Sequence, residues 1–393
     1  MPSILMMVNI SFFTFHCDLI YFDIEVVSTC DMIEIIDLTK DLVQFKTMHS
    51  KPDEIHRCAA FIEQYLNSWD VTYRRLDYHN SPAILALPRH GIAPLLFMSH
   101  IDVVDAPNEL FRPVMQEGKL YGRGCYDDKY AVALSLVLLK NNLQLLRQQG
   151  RGQKELPFGI LITSDEEIGG FNGAKKTLVD IQTDFCIVLD GGDLENIVVK
   201  EKGVARVKLM RRVEVESESK PWQGKNAVEK LMDDINTWET YFVKSAPENP
   251  HREIVCNHIR SEKSRHGVPE YAEACLEIRY METDDLEKMF NAMQKELHSD
   301  IVIEDVEPLF PGGESEHLKI LLEISKKTRI GFEDGANDSR FLSQFGIKGI
   351  VWGADGNRSQ HTLDEHVDIE SVYELYALLD AFIKRCESPE RIC

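Results

Sequence analysis

The sequence predicts an α/β fold, a mixed sheet flanked by helices and interrupted by a smaller α+β domain. Three observations predict it. Short apolar runs that read as buried strands alternate with segments whose apolar residues recur at helical spacing. From about Val198 the strands alternate in polarity, as in "KGVARVKLMRRVEVES", the pattern of a half-exposed antiparallel sheet. From about residue 308 the first texture returns, so one α/β domain is laid down in two pieces around the other. The expected organisation is an extension outside the fold at 1–31, the main domain at 32–197 and 308–393, and the inserted domain at 198–307.

The elements follow in order. "MIEIIDLTKDLVQFKT" and "KPDEIHRCAAFIEQYLNSW" carry apolar residues at helical spacing, and "VTYRRLDY" and "PAILALP" read as strands. "APLLFMSHIDVVD" is a buried strand running into a polar end. "DKYAVALSLVLLKNNLQLLRQQ" is a helix apolar nearly all round at its start, so it packs deeply. "GILITSDEEIGG" is a buried strand that ends in three adjacent carboxylates. "GGFNGAKKTLVDI" reads as turn plus helix, and "DFCIVLDGGD" as another buried strand. In the inserted block, "NAVEKLMDDINTWETYF" and "DDLEKMFNAMQKELHSD" are helices and "AEACLEIRYMET" is a strand. "HLKILLEISKKT" and "NDSRFLSQFG" (helices), "KGIVWGAD" (strand) and "DIESVYELYALLDAFIKRC" (helix) complete the pattern.

Composition narrows the function. A hydrophobic content of 44% and a charged content of 28% suit a globular protein with sizeable cores. The net charge of −21 argues against nucleic acid, whose affinity comes mainly from Lys and Arg neutralising phosphate, and equally against anionic membrane surfaces. The nine cysteines are scattered and never form a C-x-x-C pair, so neither a disulfide framework nor a zinc finger is expected, and a reducing cytoplasm is the simplest compartment. Cys186 and Cys275 sit in apolar runs and read as small buried hydrophobes. The first 31 residues lack the positive n-region of a signal peptide, and polar residues interrupt their apolar run; Met32 would make a natural beginning.

Potential ligands stand where apolar strands end, the place where open α/β sheets form their sites. His100 and Asp102 follow "LLFMS"; Asp127 and Asp128 precede the long helix. Asp165, Glu166 and Glu167 follow "ILITS", Asp190 follows "FCIVL", and His361 follows "GIVWGAD" and its loop. Each has a plainer account when taken singly: "DDK" caps a helix, "DEE" is a solvated turn, Asp190 before two glycines is a turn residue. Their joint placement, together with the resemblance that follows, shifts the balance away from those accounts. Histidines with carboxylates and no cysteine suit a hydrolytic zinc site, with cobalt or manganese as possible substitutes.

The motifs "SHIDVVD", "GKLYGRGCYDDK", "TSDEEIGG", "VLDGG", "NDSRF" and "QHTLDEHV" occur in an order and at spacings that resemble one family. It is the two-zinc amidohydrolase and peptidase family of acetylornithine deacetylase, succinyl-diaminopimelate desuccinylase, aminoacylase and glutamate carboxypeptidase. The resemblance runs from about Met32 to the C-terminus. It implies a zinc-peptidase-like catalytic domain, with the insertion as lid and dimerisation domain, and hence a homodimer. It assigns His100 and Asp190 to one zinc, Glu167 and His361 to the second, and Asp127 to both. Asp102 would hold the His100 ring in the right tautomer, and Glu166 would be the general base. The family often carries a cis peptide after its bridging residue, here Asp127–Asp128. Arg279 in "CLEIRY" matches a substrate-carboxylate arginine, and Gly335 with "NDSRF" matches the loop lining the substrate site.

The lid departs from the family pattern. The usual lid histidine, which stabilises the oxyanion, aligns with Ser217, flanked by Glu216 and Glu218. His266 stands where the family has asparagine and is a candidate substrate contact; its plainer account is a surface histidine. The expected activity is therefore metal-dependent hydrolysis, by a metal-activated water, of an amide next to a free carboxylate. An N-acyl amino acid or a small dipeptide would be the substrate. A catalytically weakened relative kept for binding or dimer assembly is the alternative. A true aminopeptidase is a third reading, against which Arg279 leans.

Overall fold

The computed structural model describes residues 28–214, 226–239, 253–262, 268–333 and 335–387. The first stretch contains helix α1 (Thr29–Val43), helix α2 (Pro52–Ser68), strands β1 (Arg74–Tyr78), β2 (Ser81–Ala86), β3 (Ile92–His100), β4 (Val114–Gln116) and β5 (Lys119–Tyr121), and helix α3 (Lys129–Gln148). Strand β6 (Phe158–Thr163), helix α4 (Ala174–Leu178) and strands β7 (Gln182–Val188) and β8 (Asn196–Glu201) follow. The middle of the chain forms β9 (Gly203–Arg212), α5 (Ala227–Glu239), β10 (Glu253–Ser261), β11 (Tyr271–Tyr280), α6 (Leu286–Glu296) and β12 (Asp300–Glu307). The last part forms β13 (Phe310–Pro311), α7 (Glu316–Ile324), β14 (Arg329–Glu333), β15 (Gly349–Val351), β16 (His366–Asp368) and α8 (Ile369–Glu387).

The large sheet has nine strands in the order β1-β2-β6-β3-β7-β15-β8-β13, with β14 also pairing to β8. Its central strands β6, β3, β7 and β15 run parallel. Covered on both faces, these strands read as unbroken apolar runs rather than alternating ones. Helices α1, α2, α3, α7 and α8 cover one face, with every residue of α3 from Lys129 to Lys140 buried. Helix α4 and the 3-10 segment Asp338–Phe345 cover the other. Parallel β3, β6 and β7 end at the same edge, so the polar residues after each are delivered to one place.

The second sheet is antiparallel, in the order β10-β11-β9-β12. Helices α5 and α6 close one of its faces, burying Trp238 and Met293 completely. The two sheets are joined by a ribbon of two strands. Glu201 pairs with Phe310 in the large sheet, and three residues further on Val204 pairs with Glu307 in the second. Gly203 lies under the Tyr280 ring, where a Cβ would come within 2.2 Å of it, and the Tyr280 hydroxyl donates to the Glu307 carbonyl at 2.9 Å. A third sheet, β16-β5-β4, pairs His366 with Tyr121 and so ties the loop after β5 to the loop before β16.

Four details depart from the sequence reading. Helix α1 begins three residues before Met32, where the Ser28 hydroxyl accepts from the Cys30 amide at 3.2 Å, and Asp31 faces Lys140 at 3.7 Å. The change of texture at Val198 falls inside β8; the chain leaves the large sheet only after Glu201. "NDSRFLSQFG" is a 3-10 segment, its start held by the Asn337 side chain on the Ser339 amide at 2.9 Å. "GGFNGAKKTLVDI" yields a helix of only five residues, because the Asp165 carboxylate holds the Asn172 and Gly173 amides in a turn. Cys186 is buried as expected, and Cys275 is half-buried. Among the described residues no helix is long and apolar enough to cross a membrane.

Candidate metal centre

His100 ends β3, where it pairs with Thr163 of β6, and only 1% of its surface is exposed. Its Nε2 lies 2.9 Å from Asp127 Oδ1 and 3.7 Å from Asp190 Oδ2. His361 Nε2 lies 3.1 Å from Asp127 Oδ2 and 3.0 Å from Glu167 Oε2. Two triads result, His100–Asp127–Asp190 and Asp127–Glu167–His361, each with its ligand atoms within 4.8 Å of one another. Asp127 belongs to both and turns one carboxylate oxygen to each. The five residues expected as ligands are thus brought together from the ends of β3, β6 and β7 and from two loops. The peptide bond Asp127–Asp128 is cis, as the resemblance implied.

His361 is the least enclosed member, 49% exposed, and its backbone sits at φ +63°, a left-handed conformation uncommon outside glycine. Glu365, four residues on, holds its loop to that of Asp127. One Glu365 oxygen accepts from the amides of Gly124 at 2.7 Å, Tyr126 at 3.3 Å and Asp127 at 3.3 Å; the other pairs with Arg123.

Asp102 is completely buried, and the His100 Nδ1 faces both its backbone carbonyl at 3.0 Å and its Oδ1 at 3.3 Å. The Asp102 carboxylate also accepts from His49 Nε2 at 2.9 Å and from the amides of Glu166 and Glu167 at 3.3 and 3.0 Å. One carboxylate therefore orients a ring on β3 and fixes the turn that follows β6. Asp165, read from sequence as a bystander, stands outside both triads but is buried and pins the next turn. Glu166 places its carboxylate beside the triads, where Arg340 Nη2 donates to Oε1 at 3.0 Å.

The electrostatics follow from crowding carboxylates out of water. Burial, and then the charge of Asp190, push Glu166 well above the usual carboxylate range. Burial, and then Asp127, do the same to Asp190. Burial also raises Glu167, against the hydrogen bond from His361. Burial would press His100 down, but its bonds to Asp102 and Asp127 hold the imidazole well above its ordinary value. Buried anions in such excess call for a cationic partner. Two nitrogen and three carboxylate donors, arranged as two triads sharing one member, fit a pair of divalent ions of the zinc, cobalt or manganese type.

A cavity of about 180 Å³ opens beside the triads, lined among others by Asp127, Glu166, Asp190, Asn337, His361 and Gly335. Arg279 does not line this cavity; it lies on β11 with Nη2 at 3.2 Å from Glu277. His266 and Ser217 fall outside the described residues. Sequence reasoning gave no role to His49, Glu365 or Arg340. The last two lie inside quoted motifs, "QHTLDEHV" and "NDSRF"; His49 carried no signal.

Residues 96–385 match the model of peptidase family M20/M25/M40. The chain is similar to a succinyl-diaminopimelate desuccinylase of Wolbachia pipientis subsp. Culex pipiens, at 25% identity over 90% of this chain and 93% of that protein. In fold it is similar to a tripeptidase from Staphylococcus aureus (TM-score 0.72, 18% identity, 90% of this chain and 98% of that one). It is also similar to an M20 family metallo-carboxypeptidase from Sulfolobus solfataricus (TM-score 0.69, 17% identity, 89% and 98%).

Proposed function

Since the chain belongs to peptidase family M20/M25/M40 and is a metal-dependent amidohydrolase, we propose that it cleaves the amide bond of an N-acyl amino acid or a small dipeptide. The observation that carries this reading is the Asp127 carboxylate split between two donor triads, with Glu166 beside it. In this proposal His100, Asp127 and Asp190 hold one ion and Asp127, Glu167 and His361 the other, with zinc the first choice and cobalt or manganese able to replace it. Bound there, the ions supply Lewis acidity that acidifies a water and polarises the scissile carbonyl.

The chain's own residues do the rest. Glu166 takes the proton of the attacking water and passes it to the leaving amine nitrogen; its burial raises its proton affinity toward that task. Asp102 keeps His100 Nε2 facing the triads. The small cavity supports a small substrate over a long peptide. Arg279 would hold a substrate carboxylate once the second sheet moves over the cavity, acting as a lid. His266, where the family has asparagine, is a candidate substrate contact in the same reading. The second sheet would also form a homodimer through the exposed edge of β10, where Val255 and Ile259 face solvent. A reducing cytoplasm fits cysteines that are scattered and never form a C-x-x-C pair.

The test is metal content and turnover on a panel of N-acyl amino acids and dipeptides. Two ions per chain are expected, with hydrolysis that falls about 10²–10⁴-fold in Glu166→Gln while the ions stay bound. Two bound ions with no turnover on any member would favour the binding-only relative.

A further inference from the structure

Arg340 is 4% exposed and uses all three arms of its guanidinium. Nε donates to the Asn337 carbonyl at 2.6 Å, Nη2 to Glu166 Oε1 at 3.0 Å, and Nη1 pairs with Glu307 Oε2. Glu307 is 1% exposed and is the last residue of β12, on the ribbon that joins the two sheets. Its other oxygen pairs with Arg206 of β9, which also reaches Asp305 Oδ2 at 3.1 Å. An unbroken line of ion pairs, Glu166–Arg340–Glu307–Arg206, thus runs from the cavity to the second sheet. Burying such charges is costly, and apolar residues would commonly hold the interface as well. What ion pairs add is direction: a planar guanidinium fixes the carboxylates on its arms relative to one another.

We propose that Arg340 and Glu307 are positioning residues that hold the Glu166 carboxylate and make its placement depend on how the ribbon sets the second sheet. The proposal rests on Glu166 being the proton carrier. A twist of the ribbon displaces Glu307, Arg340 follows, and Glu166 moves with it. The second sheet then reports its position to the reacting groups directly, through side chains, as well as by covering the cavity.

The experiment uses the metal-loaded full chain and the fastest-cleaved member of the panel, with Arg340→Lys, Glu307→Gln and Arg206→Met compared for kcat, KM, bound metal, Tm and small-angle scattering. Lysine keeps the charge but cannot serve three acceptors at fixed angles. Arg340→Lys and Glu307→Gln should lower kcat about 10- to 100-fold, as sub-ångström to ångström misplacement does, with KM within about twofold. Two ions should remain bound. Arg206→Met, two ion pairs away, should lower kcat in the same direction by a smaller factor, and it and Glu307→Gln should shift the scattering profile. A fully active Arg340→Lys or Glu307→Gln overturns the proposal, as does a loss confined to KM or one that tracks loss of metal. An Arg206→Met enzyme with unchanged kcat overturns the link to the second sheet. If Arg340→Lys does not fold, Glu307→Gln and the half-exposed Arg206 decide. Glu166→Gln turning over at the wild-type rate would instead remove the premise. A shifted scattering profile in Glu307→Gln with unchanged kcat would then show that the base was misassigned while the tie to the ribbon stands.

Discussion

The Asp102 carboxylate is crowded with donors. A carboxylate offers about four acceptor positions; the His49 ring and the Glu166 and Glu167 amides take three, and the His100 Nδ1, bonded to the Asp102 carbonyl at 3.0 Å, lies 3.3 Å from Oδ1. Asparagine at this position would turn an NH₂ toward a backbone amide that can only donate. Asp102→Asn should therefore weaken metal binding about 10- to 100-fold, as loss of an outer partner of a ligand does. Competition with a chromogenic chelator measures it, and an unchanged affinity would reduce Asp102 to a fold residue. His100, Glu167 and Asp190 were legible as candidates because each stands where an apolar strand ends, whereas Asp127 and His361 stood out only through the resemblance to a family. The partners of the site residues were not legible. His49 meets Asp102 across 53 residues, Arg340 meets Glu166 across 174, and Arg123 meets Glu365 across 242. No local pattern marks such pairs, since each is made only when the sheet closes.

Among the elements, α7 carries a pH dependence of its own. His317 stacks on Phe185, ring centroids 5.0 Å apart, with Phe382 edge-on at 6.3 Å. Burial holds its imidazole below the ordinary value of 6.5. Between the folded and unfolded values the unfolded chain binds more protons, so this stability is full above pH 6.5 and declines as the pH falls below it, levelling off under the folded value. His317→Phe should flatten the fall in denaturant midpoint between about pH 6.5 and pH 5; an identical slope in both proteins would assign it to other groups. Strands β3, β6 and β7 were legible from apolar content because buried parallel strands need little else. The 3-10 segment Asp338–Phe345 was not, because its shape comes from Asn337 reaching Ser339, Asp190 and Glu201 rather than from any periodicity.

For the whole molecule, the site is a concentration of negative charge inside a chain already at −21. Removing divalent ions leaves Asp127, Glu166, Glu167 and Asp190 to repel one another out of water. Chelation should therefore lower Tm as well as abolish turnover, and zinc, cobalt or manganese should restore both. Ligand free at a hundred times its dissociation constant is worth about 2.7 kcal/mol. A Tm indifferent to chelator would mean that the triads do not hold metal in the folded state. The change to alternating polarity marked the second sheet, because a sheet with one face wet writes that pattern into sequence; the two-stranded ribbon left no such trace. That ribbon has a consequence for how the molecule can be rebuilt. Glu201 faces Phe310 on one side of the crossing and Val204 faces Glu307 on the other, so the excursion departs and returns through one doorway. Cutting after Lys202 and before Glu307 frees two ends that a short turn can close. The large sheet would keep its strand order, and the middle of the chain behaves as a cassette that can be exchanged for a longer or shorter one.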